Sequence, residues 1–383
     1  MMKKSVFLFL STLIVSISLI GQNRQINNTE VIKIPMKASQ WEFAAGKVEF
    51  ITHKGVPAMK MLENSGYTLP KDVMFENGTI EFDLELIDGP FVGFSFRRES
   101  ADESEYFYLR PYRAGNPMGE DAAQYAPIIK GVNLWDMLYE YQGPADIKKT
   151  GWNHIKLVVS GQKLLVYVNN LDRPTLAIPQ MLGNVKKGGF SFNGNIIVAN
   201  LTIKPNQVEG LSALPDPDPT RHDLRYLRKW QVTKPVMFPY GKDIVNEDLP
   251  NDSTTIWAPI TAERLGLVNL TRLYGKAENN KRRLVWLKTT ITAEEDQRVR
   301  LDFGFSDEVW VVINKGLLHV DKNYYNSPIM KAPKGRCSVE NTSFELPLRK
   351  GENELLIGVG NSFFGWGIIA RLANIDGLQF ELP

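Results

Sequence analysis

Short runs of alternating apolar and polar residues recur along this chain, and no other feature constrains its fold as strongly. Between residues 41 and 204 such runs are separated by Gly, Asn, Asp or Pro, and Thr79 to Leu86 and Phe91 to Arg98 alternate cleanly. Successive side chains of a strand point to opposite faces, so these runs are typical of half-buried strands. The tripeptide Ser160-Gly161-Gln162 between two further runs indicates a hairpin. This spacing predicts a sandwich of two antiparallel sheets.

A second alternating series follows a proline-rich segment. Leu214 to Pro219 reads Leu-Pro-Asp-Pro-Asp-Pro, which cannot extend a sheet and favours a semi-rigid spacer. The later runs are 285–291, 299–305, 309–313, 317–320, 344–348 and 355–359. We therefore predict the all-β fold class, with two antiparallel β-sandwich domains of jelly-roll type joined by a Pro-rich linker. The predicted boundaries are 1–21 for a signal peptide, 22–205 for the first sandwich, 206–229 for the linker and 230–383 for the second jelly roll.

The N-terminus has the layout of a bacterial-type secretory signal peptide. Lys3 and Lys4 precede an apolar run from Val6 to Ile20, and Gly21 and a polar stretch follow. The run is short for a membrane span, although an uncleaved anchor stays an alternative. No cysteine follows the run, which excludes lipid attachment there. We therefore expect a secreted or periplasmic protein.

Charge, apolar content and cysteine content exclude several classes of partner and one source of stability. The formal net charge is +2 and the acidic and basic residues are interspersed, so no basic patch favours nucleic acid. No second apolar stretch follows the first, so we expect no membrane span after signal removal. Cys337 is the single cysteine and cannot form an internal disulfide, so large hydrophobic cores must stabilise the fold.

The segment from Glu105 to Arg113 predicts the binding chemistry. It reads Glu-Tyr-Phe-Tyr-Leu-Arg-Pro-Tyr-Arg, so Phe107 and Leu109 share one face of a strand. The opposite face carries Tyr106, Tyr108, Arg110 and Tyr112. Burying that face would require a partner for every hydroxyl and for the guanidinium, whereas a flat, hydroxyl-rich ligand would supply such partners.

The long segment from Gly115 to Asp146 is the predicted second wall of this site, because loops of this length are often functional. We predict a ligand groove lined by Arg97, Tyr106, Tyr108, Arg110, Tyr112, Trp135 and Tyr139. The alternative is that the segment simply covers the tyrosines as part of the core. Carbohydrate is the predicted ligand of the groove.

The first predicted sandwich resembles a concanavalin A-like, laminin-G-type domain. The motifs that carry the resemblance are Gly78-Thr79-Ile80-Glu81-Phe82-Asp83, Val92-Gly93-Phe94-Ser95-Phe96-Arg97, Gly151-Trp152-Asn153-His154-Ile155-Lys156 and Leu165-Val166-Tyr167-Val168-Asn169. This architecture recurs in lectins, laminarinase-type glycoside hydrolases and the 3-keto-disaccharide hydrolase group. The resemblance therefore implies the fold and leaves the function open.

The second predicted domain resembles the galactose-binding-like jelly roll that accompanies many β-galactosidase-type enzymes. Its motifs are Val309-Trp310-Val311-Val312-Ile313-Asn314-Lys315-Gly316 and Arg349-Lys350-Gly351-Glu352-Asn353-Glu354-Leu355. The resemblance implies support or sugar contact. The aromatic loop Phe363-Phe364-Gly365-Trp366-Gly367 is either a sugar platform or, as we favour, part of the interface between the domains.

The catalytic candidates are Glu81, Asp83 and Glu85, which period two places on one face of a strand. Laminarinase-type hydrolases use a similar strand, with one glutamate as nucleophile and another as general acid/base. Retaining chemistry needs carboxyl groups roughly 5–5.5 Å apart, whereas residues four apart on a flat strand have Cα atoms ~13 Å apart. We favour an ordinary strand with an acidic, solvated face.

Metal and cofactor signals are weak. The four histidines, His53, His154, His222 and His319, show no zinc-ligand spacing, so we expect neither a metal site nor a cofactor. Structural calcium is compatible with such sandwiches, although no Asp-rich loop marks a site.

Three functions stay open at this point. The first, which we favour, is a secreted carbohydrate-binding protein without catalysis, its ligand groove lying on the concave face of the first sandwich. The second is a glycoside hydrolase or lyase acting on a polysaccharide or disaccharide in the same groove. The third is an envelope adaptor whose aromatic surfaces bind a protein partner.

Overall fold

The computed structural model describes residues 30–62, 65–251, 253–278 and 281–381, and the predicted signal peptide lies outside them. Strands dominate this part of the chain, and its α-helix, α1, spans only Leu270–Tyr274. The predicted all-β fold class is confirmed. No helix of the described ranges is long and apolar enough to cross a bilayer.

The strands up to residue 205 form the N-terminal β-region. They are β1 (Ile32–Lys33), β2 (Trp41–Glu42), β3 (Val48–His53), β4 (Val56–Met61), β5 (Leu69–Pro70), β6 (Gly78–Arg98), β7 (Glu105–Leu109), β8 (Ala123–Tyr125), β9 (Ile128–Ile129), β10 (Val132–Asn133), β11 (Gln142–Gly143), β12 (Asn153–Ser160), β13 (Lys163–Val168), β14 (Leu176–Ile178) and β15 (Gly189–Pro205).

The strands from residue 229 onward form the C-terminal β-region. They are β16 (Lys229–Val232), β17 (Val236–Met237), β18 (Ala258–Thr261), β19 (Leu267–Asn269), β20 (Arg283–Ala293), β21 (Gln297–Phe305), β22 (Asp307–Ile313), β23 (Gly316–Asn323), β24 (Thr342–Leu348), β25 (Gly351–Asn361), β26 (Gly367–Leu372) and β27 (Leu378–Phe380). Short 3-10 helices occur at Ala38–Gln40, Pro111–Arg113, Tyr139–Tyr141, Asn246–Asp248 and Arg264–Gly266.

One long bent strand organises the N-terminal β-region. The first half of β6 pairs with β12 and its second half with β7, while β15 follows it along both halves. The sheet thereby folds over itself, so the two sheets predicted from sequence are joined through β6 and β15. The bend needs Gly194, because a Cβ there would lie 2.8 Å from the Phe91 carbonyl oxygen and its φ is +109°.

The two halves of this folded sheet enclose an aromatic core. The Phe82 ring centroid lies 4.9 Å from that of Phe94 and 5.0 Å from that of Phe192. Phe82 comes from the first half of β6 and Phe94 from the second, so the alternation along β6 directs both rings between the layers. The opposite faces of β6 are therefore free to carry polar side chains.

The C-terminal β-region is a sandwich of two sheets. One sheet has the strand order β18-β16-β20-β25-β22-β23, with β17 and β27 also pairing with β20, and the other has the order β19-β26-β21-β24. Apolar residues of both sheets, including Val285, Leu301 and Ile368, share one core. No strand pairing among the described residues joins this region to the N-terminal one.

Side chains and loops connect the two regions. Arg272 of α1 donates to the Leu182 carbonyl oxygen at 2.8 Å, and the Lys130 ammonium donates to the Leu273 carbonyl oxygen at 2.9 Å. The Cys337 amide donates to the Asp136 carbonyl oxygen at 2.8 Å. The segment 115–146 thus lies between its own region and loops of the other, which positions the site described next.

Candidate ligand-binding site

Strand β7 divides its side chains between two environments, as its sequence predicts. Phe107 and Leu109 belong to the main core of the N-terminal β-region. Tyr106 and Tyr108 lie on the opposite face and pack with Trp135 in a separate cluster. The close fit extends to β6, where a Cβ on Gly93 would lie 2.0 Å from the Tyr106 hydroxyl oxygen. The face assignment for these residues is confirmed.

The expectation that this tyrosine face is open to solvent was wrong for three of its residues. Tyr106, Tyr108 and Arg110 retain 7%, 4% and 4% of their accessible surface. The physical reason is that segment 115–146 folds over the face and supplies polar partners, so the hydroxyls do not need water. Arg97, also expected in the groove, is equally buried.

Gln124 provides the central partner. Its side-chain oxygen accepts from the Tyr108 hydroxyl at 2.7 Å and from the Arg110 guanidinium at 2.8 Å. Arg110 also donates to the carbonyl oxygen of Asp121, and the Tyr106 hydroxyl donates to the Asn193 side-chain oxygen at 3.0 Å. The partners of Arg110 are thus neutral oxygens.

Exposed aromatic residues surround this buried face, and we call them the aromatic rim. Its members are Phe91, Tyr112, Tyr325, Phe363 and Phe364, which are 42–59% exposed. The rim combines both β-regions: the Trp135 ring centroid lies 4.8 Å from that of Tyr325, and the Tyr325 and Phe363 rings are nearly parallel at 6.2 Å. Phe91 contacts Tyr108 with ring centroids 5.6 Å apart.

Arg336 joins the site from the C-terminal β-region. It is 2% exposed, and its guanidinium lies 5.1 Å from the centre of the Trp135 ring. Its Nε atom is buried without a hydrogen-bond partner, and one Nη donates to the Lys334 carbonyl oxygen at 3.2 Å. Burial lowers the pKa of Arg336, and the charge of Arg110 lowers it further. We call the aromatic rim together with Tyr108, Arg110, Trp135 and Arg336 the junction surface.

Two buried carboxyl groups hold the loop that carries Phe363 and Phe364. Asp136 accepts from the Gly365 amide at 3.1 Å, and Asp307 accepts from the Phe363 amide at 2.9 Å. Burial and, to a lesser extent, the nearby Asp307 raise the pKa of Asp136 to about 8. Burial also raises the pKa of Asp307 to about 7. Asp136 therefore keeps its proton near neutral pH and supplies little negative charge to the junction surface.

Two predicted groove residues lie elsewhere. The Nε atom of Arg97 donates to the Glu76 carbonyl oxygen at 2.8 Å, and its charge acts on Glu105. Tyr139 lines a cavity of about 90 Å³ that also borders Cys337 and Tyr226. The structure thus brings together Tyr106, Tyr108, Arg110, Tyr112 and Trp135, and separates Arg97 and Tyr139 from them.

The carboxylates of β6 face the other side of the sheet, and each has a basic partner. Lys204 lies 2.8 Å from Glu81, His154 lies 2.7 Å from Asp83, and Lys54 lies 2.7 Å from Glu85. Burial raises the pKa of Glu85, but hydrogen bonds from Lys54 and His53 outweigh this and bring it to about 2. A carboxyl group that holds no proton near neutral pH is unsuited to act as a general acid.

Sequence reasoning missed Gln124 and Arg336 and left the role of the aromatic loop divided. Phe364 lies 5.8 Å from Trp135 between ring centroids, and the Gly365 amide binds Asp136, so the interface interpretation of the loop has direct contacts. Phe363 nevertheless stays 42% exposed. The unusually aromatic sequence was the available signal, whereas nothing local marks Arg336.

A groove of about 370 Å³ crosses the outer face of the C-terminal β-region between β16, β20 and β27, lined by Gln231, Thr290 and Phe380 among others. No group of three or more His, Cys, Asp or Glu side chains is arranged for a metal ion within the described ranges. The prediction on structural calcium stays a prediction.

Comparisons with known proteins give structural likenesses at low identity. No family model matches the chain, and no curated protein matches it. Similar solved structures include a Bacillus licheniformis β-glucanase (11% identity, 48% of this chain and 100% of that chain, TM-score 0.33). They also include the carbohydrate-binding module CBM66 from Bacillus subtilis (13% identity, 47% of this chain and 94% of that chain, TM-score 0.27). A further one is a Bacillus subtilis protein of unknown function with a galectin-like fold (11% identity, 45% of this chain and 94% of that chain, TM-score 0.32).

One of these neighbours is described as having a galectin-like fold. At such identities and TM-scores they carry no argument about the ligand or activity of this chain. The site is therefore interpreted from its own residues.

Proposed function

We propose that this chain is a secreted carbohydrate-binding protein and that the junction surface is its binding site. The observation that carries the proposal is the exposed aromatic rim around the buried polar groups of Tyr108, Arg110 and Arg336. Aromatic faces suit the apolar C–H side of a pyranose ring, and a few converging polar groups suit its oxygens. Secretion rests on the predicted signal peptide.

The composition of the rim distinguishes it from ordinary surface. Large apolar patches are uncommon on soluble proteins and mark interaction sites. Here Tyr112, Tyr325 and Phe363 are 59%, 48% and 42% exposed, and Tyr325 and Phe363 present nearly parallel rings. The ring centroids of Tyr325 and Phe363 are 6.2 Å apart, and Tyr325 lies near the guanidinium of Arg336. This arrangement favours a flat ligand with polar edges.

Binding without catalysis is the form of the proposal that the carboxyl groups favour. Glycoside hydrolysis uses two carboxyl groups on either side of the scissile bond. Both carboxyl oxygens of Asp136 accept from the Gly365 amide, and Asp121 is paired with Arg113 at 2.7 Å. The carboxylates of β6 lie on the opposite face with their own basic partners.

The test removes rim rings without touching the buried groups. Tyr325→Ala and Phe363→Ala should each weaken binding to the best ligand of a glycan array at least tenfold, because each removes a stacking face. The matched control is Leu317→Ala, which truncates a 56% exposed side chain on the hairpin at the other end of β22. Binding by the control should be unchanged.

Two results would contradict the proposal. One is the absence of binding to any glycan of the array at millimolar concentration. The other is a tight glycan ligand whose affinity is unaffected by either rim variant while both variants remain folded. Capture of a protein partner that depends on Phe363 would favour the adaptor function instead.

A further inference from the structure

Two buried guanidinium groups of the junction surface lie near each other, and neither has a direct ion-pair partner. Arg110 and Arg336 are 4% and 2% exposed, and neither forms an ion pair with a carboxylate of the described residues. Their hydrogen bonds go to neutral oxygens of Asp121, Gln124, Tyr108 and Lys334. Each arginine also acts electrostatically on the same hydroxyl group, that of Tyr108, so the two positive charges lie close together.

The acidic groups around them do not balance this charge. Asp121 forms a 2.7 Å ion pair with Arg113, and the ammonium of Lys334 also acts on it. Asp136 is buried and retains its proton near neutral pH. Arg110, Arg113, Arg336 and Lys334 therefore share the Asp121 carboxylate, and Asp136, whose pKa burial raises, is a second acidic group beside Arg336.

An uncompensated charge is costly to bury, and a guanidinium is the side chain best suited to binding a planar anion. A buried ion without a partner loses its hydration, and a bound anion would offset that loss. Arginine presents its donors as a rigid fork that matches a carboxylate, and the Nε donor of Arg336 has no partner. Several buried arginine Nε donors of the described residues have no partner, and that of Arg336 is the one beside Trp135 and the aromatic rim.

We propose that the sugar bound at the junction surface is acidic, and that Arg336 and Arg110 recognise its anionic group while the rim stacks on its ring. This inference rests on the proposed carbohydrate-binding function and deepens it. Tyr325 connects the two parts, because it is 48% exposed, packs against Trp135 and interacts electrostatically with Arg336. An anion that reaches the rim therefore enters the field of both arginines.

The experiment compares matched glycans that differ only in charge. An array would carry uronate-containing glycans beside their methyl esters, and sulfated glycans beside their desulfated forms. We expect at least a tenfold preference for one charged member of a pair, and the pair that responds identifies carboxylate or sulfate as the anion. Equal binding of charged and neutral members would overturn the inference and leave the proposed function standing, whereas absence of all binding would overturn both.

Variants of Arg336 assign the preference to this site. Arg336→Gln should reduce the preference for the charged glycan at least tenfold and change binding of the neutral form little. Arg336→Lys keeps the charge and should retain part of the preference. It replaces Arg336→Gln as the test if the Gln variant does not fold. The matched control is Arg298→Gln, which removes one positive charge from an exposed position of β21. A folded Arg336→Gln protein that keeps the full preference, or a folded Arg336→Lys protein that loses all of it, would overturn the assignment.

Discussion

Sequence alternation singles out both the outer face of β6 and the face of β7 that leads to Arg110, but the two faces differ in how their charges are balanced. On β6, Glu81, Asp83 and Glu85 each lie within 2.8 Å of a basic atom. On the junction surface, Arg110 and Arg336 have no ion-pair partner among the described residues. Alternation alone therefore does not distinguish a solvated face from a binding site, whereas charge balance does.

The two faces also differ in what burial does to their carboxyl groups. On β6 the carboxylates are partly accessible and basic partners outweigh burial, as the pKa of about 2 for Glu85 indicates. At the junction, burial dominates and raises the pKa of Asp136 to about 8. The first arrangement stabilises an ionised surface, and the second keeps negative charge away from two arginines.

The largest expected effect comes from removing Arg110. Arg110→Ala removes one donor each from the Gln124 oxygen, the Tyr108 hydroxyl and a buried carbonyl oxygen, so the free energy of unfolding should fall by about 3 kcal/mol. Glycan binding should be lost as well. Urea denaturation and glycan binding measure the two effects.

The neighbouring Arg113 is the matched control for Arg110. Its side chain is more exposed and forms a single ion pair with Asp121, so Arg113→Ala should lower the free energy of unfolding less than Arg110→Ala does. Equal stability of the two variants would contradict the description of Arg110 as the donor of a buried network.

An intermediate effect is expected in the pH dependence, with opposite signs on the two faces. In the folded chain Asp136 keeps its proton up to a pKa of about 8, whereas in the unfolded chain it loses it near pH 4. The folded state thus binds more protons between these values, and the free energy of unfolding falls as pH rises. Asp136→Asn should make this slope shallower between pH 5 and 8, which the pH dependence of the thermal midpoint measures. Some slope should remain in the variant, because burial also raises the pKa values of Asp307 and Glu105 to about 7.

Glu85 should show the reverse behaviour. Because the folded-state pKa of Glu85 is about 2, its stabilising contribution is present above its ordinary pKa and is lost as the pH falls toward 2. Glu85→Gln should therefore flatten the acid limb and leave the slope between pH 5 and 8 unchanged. Identical pH profiles for the Asp136 and Glu85 variants would remove the distinction between the faces.

The smallest effect is expected from neutralising the β6 carboxylates together. A Glu81→Gln, Glu85→Gln double variant loses two partly exposed ion pairs, each worth at most about 1 kcal/mol. Glycan binding, and any glycan cleavage that a sensitive assay detects, should be unchanged. A loss of cleavage in this variant would instead support the hydrolase alternative.

Local sequence pattern predicts the faces of the strands well. The alternation along β7 separates Phe107 and Leu109 from Tyr106 and Tyr108, and the structure keeps this division. The pattern cannot show that β6 continues through a bend, because Gly194 and the pairing with β15 decide this at a distance. The predicted domain boundaries stay a prediction.

The composition of the site is the part that sequence could not provide. Whether a tyrosine is exposed depends on which residues cover it. Tyr108 is covered by Gln124, which lies in a segment without a periodic sequence pattern. Arg336 and Phe363 come from a different β-region, more than 200 residues from Arg110 in the sequence. Only a structure brings such distant residues into contact.

The most direct test of the account is hydroxyl-radical footprinting of the full chain with and without the glycan that binds most tightly on the array. We expect protection of the exposed rings of Tyr112, Tyr325 and Phe363, with unchanged labelling of His53 and His154 beside the β6 carboxylates. Protection confined to the β6 face, or to Phe380 in the groove of the C-terminal β-region, would contradict the claim that the junction surface is the binding site.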